Sequence, residues 1–359
     1  MTLEGVEVIT RELYATLRCP HCAREKDGLL VLRRASWLVC QEESCGRKFP
    51  IRNRVPVMLT DEGEKWIDIE VSDLPPKALP AMSKKPDASW LQRMANELRI
   101  EILQMVVRAG NGHIGGAYSV IDVLTALYFR VLKHDPHDPD WPDRDLLIFS
   151  KGHGCLALYV VLANSGYFRK SRLQEFGVDG GLLGGHPERG QIPGVEVTTG
   201  SLGHGLPQAV GMALARKMDN RKQRVFAVLS DGECNEGSVW EAFLSAAQLR
   251  LDGLTAIIDN NKMESLALTS EIMKIEPLGE KLRSFGWAIR EIDGHDLGEI
   301  VTALEDIPFK SGKPSAIIAH TIKGKGISFM ENVPKWHLRG PTKDEAVAGF
   351  AELAHRLIT

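Results

Sequence analysis

Two short apolar runs, at 225–229 and 254–258, each stop at a turn rich in oxygen ligands. The first leads into Ser230-Asp231-Gly232-Glu233-Cys234-Asn235-Glu236-Gly237, the second into Asp259-Asn260-Asn261-Lys262. Runs this short, bounded by turn residues, read as strands buried on both faces, the habit of parallel sheets. The chain also carries helical spacing: Leu91, Met94, Leu98, Ile102 and Met105 or Val106 form one amphipathic face, and a second helix spans about 120–132. Further apolar runs stand at 146–149 and 315–319. Helices alternating with such runs predict an α/β domain, a mainly parallel sheet with helices on both faces. Ligands in these folds bind beyond the carboxyl ends of the strands, where Asp231 and Asn261 fall. A carboxylate and an amide on neighbouring strand ends can share one hard cation, and Mg²⁺ keeps positions open for phosphates.

Composition limits the alternatives. With 43% hydrophobic and 25% charged residues the chain is of ordinary globular type. A net charge of −3 gives no reason to expect nucleic acid or an anionic membrane as partner. No apolar run approaches the roughly 20 residues of a membrane span, and Met1-Thr-Leu-Glu-Gly-Val-Glu lacks the basic start and apolar core of a secretory signal. The expected location is the cytoplasm. In that reducing setting the four cysteines near the N-terminus suggest metal rather than disulfides.

Three segments are expected. In 1–75, Cys19-Pro-His-Cys22 and Cys40-Gln-Glu-Glu-Ser-Cys45 can fold over a tetrahedral Zn²⁺, and a site with four cysteine ligands is closed and structural. Leu29-Leu30-Val31-Leu32 reads as a strand with 37–39 as its hairpin partner; His21 is read as a loop residue. Residues 76–89, dense in proline, read as a linker. Residues 90–359 carry the chemistry. The first segment resembles the Trm112-like zinc-ribbon domain, through Phe49-Pro-Ile-Arg and Pro56-Val-Met-Leu. Its second cysteine pair has four intervening residues where the usual knuckle has two.

Asp-Gly before a helix, followed 30 residues later by the second Asn of Asn-Asn, resembles the thiamine diphosphate signature. Over about 91–352 the chain resembles the N-terminal half of transketolase. Ala109-Gly-Asn-Gly-His113-Ile-Gly-Gly, Ser150-Lys-Gly-His153, Gly185-His186-Pro187, Thr199-Gly-Ser-Leu-Gly-His-Gly205, Lys323-Gly-Lys-Gly326 and Trp336-His337 follow in the family's order. The resemblance implies that Asp231, Asn261 and the carbonyl of Met263 hold Mg²⁺ or Ca²⁺, while His153, Gly200, Leu202, Gly203, Gly232, Glu233, Asn261 and His337 hold the cofactor. Gly232 leaves room for backbone N–H groups near phosphate, and the helix starting near Glu236 turns its positive end the same way. His113, His186 and His337 are implied in substrate contact and proton transfer, a task suited to imidazole near neutral pH. Glu236 matches a glutamate at the subunit interface that links two cofactor sites. Departures occur at Ser230, at Ser201 and His204 where proline and glutamine are common, and at His337-Leu-Arg-Gly, which replaces His-Gly.

The implied reaction moves a two-carbon ketol unit from a ketose phosphate to an aldose phosphate. The family's catalytic glutamate lies in a pyrimidine-binding domain downstream of the half seen here. A split enzyme is therefore expected, with a partner subunit supplying that domain in an α₂β₂ assembly. Two other readings compete: a subunit of a 2-oxo acid dehydrogenase or acyloin-forming enzyme, and a non-catalytic adaptor built on the ribbon.

Overall fold

The computed structural model describes residues 15–33, 37–52, 55–64, 66–74, 85–136 and 138–358. Two units follow one another, Met1–Lys85 and Pro86–Thr359. Most of the expected linker, 76–84, lies outside the described residues.

In the first unit β-favouring residues form a small antiparallel sheet: β1 (Leu30–Arg33), β2 (Trp37–Cys40), β3 (Lys48–Arg52) and β4 (Val55–Pro56), in that order, followed by a short helix α1 (Thr60–Glu64). The hairpin expected from sequence is present, with Leu30 opposite Cys40 and Arg33 opposite Trp37. Cys19, Cys22, Cys40 and Cys45 are buried with Leu30, Leu38, Phe49 and Ile51. A second small cluster sets Trp37 edge-on to Trp66 at 4.6 Å between ring centroids. The Lys48 ammonium, buried beside it, donates to the carbonyls of Gly46, Trp66 and Ile67, each at 2.9 Å. A buried ammonium tolerates such a place only when its protons are paired.

In the second unit a long helix α2 (Ala88–Ala109) starts under an Asp87 cap, whose carboxylate accepts the Trp90 N–H at 2.8 Å, and ends at Gly110 in the left-handed region. Helix α3 (Ile114–Ala126) continues into a wider turn through Val131. Ile114–Val131 is long and apolar enough to cross a membrane by composition, yet it is almost wholly buried within the fold. Then β5 (Leu146–Phe149), α4 (Cys155–Ser165), α5 (Gly205–Met218), β6 (Val225–Ser230), α6 (Gly237–Gln248), β7 (Leu254–Asn260), α7 (Thr269–Ile272), α8 (Leu278–Ser284), β8 (Ala288–Asp293), α9 (Leu297–Glu305), β9 (Ser315–His320) and α10 (Lys343–Ile358) follow.

The five strands of this unit are all parallel, in the order β5-β6-β7-β9-β8. Alternate residues serve two cores. Phe149, Phe226, Val228, Ile257 and Ile317 face the core built with α2, α3, α4 and α9. Ile148, Ala227, Leu229, Ile258 and Ile318 face the core built with α5, α6 and α8. Burial on both faces explains the unbroken apolar runs.

Strand β8 was not expected from the sequence. It lies at the sheet edge with only Ile292 buried, so Ala-Ile-Arg-Glu-Ile-Asp shows no apolar run to detect. The register places the ends of β6, β7 and β9 side by side, with Ser230 opposite Asp259 and Asn260 opposite His320.

Candidate active site

The turns after β6 and β7 are joined through Asp231. Its carboxylate accepts the N–H of Gly232 at 2.8 Å and that of Lys262 at 2.5 Å. Asp231 is 1% exposed. Burial, then the neighbouring charge of Asp259, pushes its carboxyl up to about 7. Burial also opposes ionisation of Asp259, but the Lys151 ammonium paired with it outweighs burial and holds it below the usual carboxylate range. Asp259 accepts further hydrogen bonds from the hydroxyls of Ser119, at 2.6 Å, and Thr321. The Asn261 amide nitrogen reaches toward Ser119 Oγ (3.4 Å) and Asp259 (3.5 Å), while its oxygen accepts the Met263 N–H at 3.1 Å.

A cleft of about 270 Å³ opens over these turns, lined by Gly116, His153, Gly200, Leu202, Ser230, Asp231, Gly232, Asn261, Met263, Glu264, Ser265, Lys323 and His337. Lys323 lies in its wall, 3% exposed, and donates to the carbonyls of Met263 (3.2 Å) and Glu264 (2.8 Å). It also stands 3.1 Å from His337 Nδ1. Burial, then Lys151, brings its ammonium down to about 8.

Four histidines gather at this end of the sheet. The His113 ring lies 5.5 Å from His153, 5.1 Å from His337 and 6.2 Å from His186, between centroids. His153 and His337 are 5.7 Å apart. Burial first, and then neighbouring cationic groups, hold His113 and His337 down to about 4 and His153 well below its ordinary value. All three are therefore neutral at pH 7, each able to accept at one ring nitrogen and donate at the other.

The glycine turn before α5 is shaped by close approach. Gly203 has φ +80°, and a Cβ there would stand 2.6 Å from Glu236 Cβ. A Cβ at Gly200 would stand 3.0 Å from His186 Cδ2. Only glycine fits these places.

Of the residues singled out in sequence, Asp231, Asn261, Met263, Gly232, Gly200, Leu202, His153 and His337 line the cleft. His113 and His186 join it through ring contacts. Gly203 and Glu233 sit behind it. Glu233, fully buried, accepts from Ser150 Oγ, from Gly203 N at 3.0 Å and from Ser230 N at 3.3 Å, so it braces three segments of the wall. Burial raises its carboxyl above the usual range. Glu236 is exposed at the start of α6, and His204 is exposed at the start of α5. The ion pair Lys151–Asp259 and the cleft-lining ammonium of Lys323 had no role assigned from sequence. The signal was present, since Lys151 and Lys323 lie inside Ser-Lys-Gly-His and Lys-Gly-Lys-Gly.

In the first unit the ligand atoms of Cys19, Cys22, Cys40 and Cys45 all lie within 4.8 Å of one another. The Cys19–Cys45 and Cys22–Cys40 sulfurs are 3.8 and 3.9 Å apart. Tetrahedral Zn–S bonds of about 2.3 Å put sulfurs roughly 3.8 Å apart, so the four-residue gap in the second pair is no obstacle to this geometry. His21 is exposed and outside the group.

The second unit is a parallel α/β domain whose strand ends offer hard oxygen donors, neutral imidazoles and a glycine turn around one polar cleft, the build of a diphosphate-cofactor domain. Residues 91–352 match the family described as transketolase, thiamine diphosphate binding domain, and the chain belongs to the transketolase family. It is 46% identical over 263 residues to a 6-deoxy-6-sulfo-D-fructose transketolase subunit of Clostridium sp. (strain MSTE9), covering 73% of this chain and 96% of that one. It is 42% identical over 264 residues to an apulose-4-phosphate transketolase subunit of Actinobacillus succinogenes, covering 73% and 95%. Among solved structures, transketolase from Leishmania mexicana matches with TM-score 0.70 and 31% identity, covering 74% of this chain and 41% of that one. Subunit-length relatives are thus matched almost end to end, and a longer transketolase over about two fifths. Residues 91–352 are thus the thiamine diphosphate-binding domain of a transketolase-family transferase, and the relatives of matching length are named as transketolase subunits.

Proposed function

We propose that the chain is the N-terminal subunit of a transketolase that passes a two-carbon ketol unit from a ketose phosphate, or a ketose with another anionic end, to an aldose phosphate. The observation that carries this is the convergence of Asp231, Asn261 and Met263 with His153, His337 and Lys323 in one cleft. Asp231 is a buried carboxylate whose charge is opposed by burial and by Asp259. A divalent cation relieves that cost, and carboxylate, amide and carbonyl oxygens are the donors Mg²⁺ or Ca²⁺ prefers. Asp231, Asn261 and the Met263 carbonyl would hold it. When bound, thiamine diphosphate supplies the electron sink for breaking the C–C bond. The chain's own residues do the rest: His153, His337 and Gly232 receive the diphosphate, Gly200, Leu202 and Gly203 shape the wall behind the rings, and His113, His186 and His337 exchange protons with substrate. Glu236, exposed at the start of α6, would lie at the subunit interface.

The partner is a second subunit bearing the pyrimidine-binding domain, in an α₂β₂ assembly; the relatives of matching length are themselves named as subunits. A cytoplasmic setting fits the free cysteines. Residues 1–75 act as a structural zinc ribbon, joined through a linker to the catalytic domain, whose first helix already starts at Ala88, within the stretch 76–89 read from sequence as linker. The names of the relatives favour ketoses with a sulfonate or phosphate terminus as donors.

The test is reconstitution with the partner subunit, thiamine diphosphate and Mg²⁺. Xylulose 5-phosphate with ribose 5-phosphate, then 6-deoxy-6-sulfofructose with an aldose phosphate, should turn over. Turnover of pyruvate alone would reject the two-carbon transfer reading in favour of a 2-oxo acid enzyme. Failure of the assembled pair to bind thiamine diphosphate would favour an adaptor.

A further inference from the structure

Behind the loop that carries Lys323 lies a buried set of charged groups that the proposed chemistry does not use. Arg99 on α2 and Asp122 on α3 form a double hydrogen bond, Nη1 to Oδ1 at 3.0 Å and Nη2 to Oδ2 at 2.5 Å. Both side chains are at most 2% exposed. Burial opposes the Asp122 charge, but Arg99 and then His295 outweigh it and hold its carboxyl down to about 2. His295, in the turn between β8 and α9, completes the set, with Nδ1 at 2.7 Å from Asp122 Oδ2. Its other nitrogen accepts the backbone N–H of Ile322 at 2.8 Å. A backbone N–H can only donate, so Nε2 is bare, the proton is on Nδ1, and Nδ1 donates to Asp122.

These contacts grip the loop on both sides of Lys323. Ile322 is held at its N–H by His295, and the carbonyl of Lys325 accepts from Arg99 Nε at 3.1 Å. Arg356 Nε donates to the next carbonyl, that of Gly326, at 3.1 Å. The loop is also tied to the His113 turn, because Gly324 N–H donates to the Gly115 carbonyl at 3.0 Å. The side chain between the two grips is Lys323, which meets Met263, Glu264 and His337 in the cleft.

We propose that Arg99, Asp122 and His295 are positioning residues that fix segment 322–326 and thereby aim Lys323 at the cofactor cleft. The arrangement suits that task. Arg99 has a rigid planar fork, Asp122 is fixed by it, and His295 carries the constraint across to the end of β9 in a single tautomer. Residues that hold a ligand group without touching the ligand change affinity when their hydrogen bonds are lost.

The inference rests on the proposed function for its cofactor arm, and the test separates the two. Removing Arg99 or Asp122 would strand a buried charge and risk the fold, so the variants are His295→Phe, which fills the space without hydrogen bonds, and His295→Gln, which restores an acceptor for Ile322. Amide exchange by mass spectrometry on the full chain reads the loop directly. In His295→Phe the 322–326 amides should exchange at least about tenfold faster while β6 and β7 stay as in the wild type; His295→Gln should recover most of the protection. Calorimetry of thiamine diphosphate with Mg²⁺ on the chain assembled with its partner should then show affinity weakened by about tenfold in His295→Phe, and by less in His295→Gln. Unchanged exchange in 322–326, or faster exchange spread evenly through the domain, would overturn the positioning role. Faster loop exchange with unchanged cofactor affinity would overturn the link to Lys323. A wild-type pair that binds no cofactor would count against the proposed function, while the exchange result would still decide whether His295 fixes the loop.

Discussion

The carboxylate of Asp231 accepts the backbone N–H of Lys262 at 2.5 Å, so one side chain at the end of β6 sets the path of the turn that follows β7. The same carboxylate, 1% exposed and pushed up to about 7 by burial and Asp259, faces the cleft. The turn it holds and the cation proposed for it can be separated by Asp231→Asn. The amide keeps one oxygen to accept an N–H but brings no charge. Stability without cofactor should change by less than about 1 kcal/mol, because one lost hydrogen bond is offset by removal of a buried charge. The rise in melting temperature produced by thiamine diphosphate with Mg²⁺ should vanish. A variant that keeps that rise would remove Asp231 from the proposed cation site.

Gly203 is a steric test of the cleft wall. With φ +80° and Glu236 Cβ only 2.6 Å from where its own Cβ would lie, Gly203→Ala must move either the turn or the start of α6. The expected loss of stability is about 1–3 kcal/mol, the usual cost of forcing a side chain into such a backbone. Urea unfolding measures it. Because the Gly203 N–H also donates to Glu233 at 3.0 Å, cofactor binding should weaken too. Loss of stability below about 0.5 kcal/mol would show that the turn yields freely.

Strands β5, β6, β7 and β9 were legible because burial on both faces leaves continuous apolar runs, and the cleft was legible because several residues that line it sit where those runs stop. Edge strand β8 was not: with one face and one edge open it needs no apolar run, and Arg290 and Glu291 mask it. The Lys151–Asp259 pair illustrates a second limit. The two residues are 108 apart in sequence and meet only because β5 and β7 flank β6. Nothing local distinguishes a buried lysine from a solvated one until the sheet order is known. Glu233 and Glu236 are three residues apart, yet one is fully buried and the other exposed, since a single helical turn separates wall from surface.

The cysteine cluster gives a metal prediction. Four sulfurs within 4.8 Å of one another, buried among Leu30, Leu38 and Phe49, form a closed site. Purified chain should contain about one zinc, and Cys22→Ser or Cys40→Ser should lower that content and unfold the first unit, because binding free energy at a structural site is folding free energy. Metal analysis by mass spectrometry and limited proteolysis within 1–75 read the two effects. Full-length chain with no zinc and a protease-resistant ribbon would reject the site.

Acid should destabilise the cofactor-free domain in a window set by its histidines. His113 and His337 are held down to about 4, first by burial, against an ordinary value of 6.5. Between those limits the unfolded chain binds more protons than the folded one, so stability falls as pH is lowered. Their contribution is whole above 6.5 and is lost as pH approaches about 4. Asp231 acts in the opposite sense: its carboxyl, raised to about 7, favours the folded state at low pH and ceases to do so as pH rises through that value. Replacing both histidines, as in His113→Gln with His337→Gln, should therefore flatten the decline between pH 6.5 and 4 measured by urea midpoints. A decline as steep as in the wild-type chain would show that other groups carry the acid sensitivity.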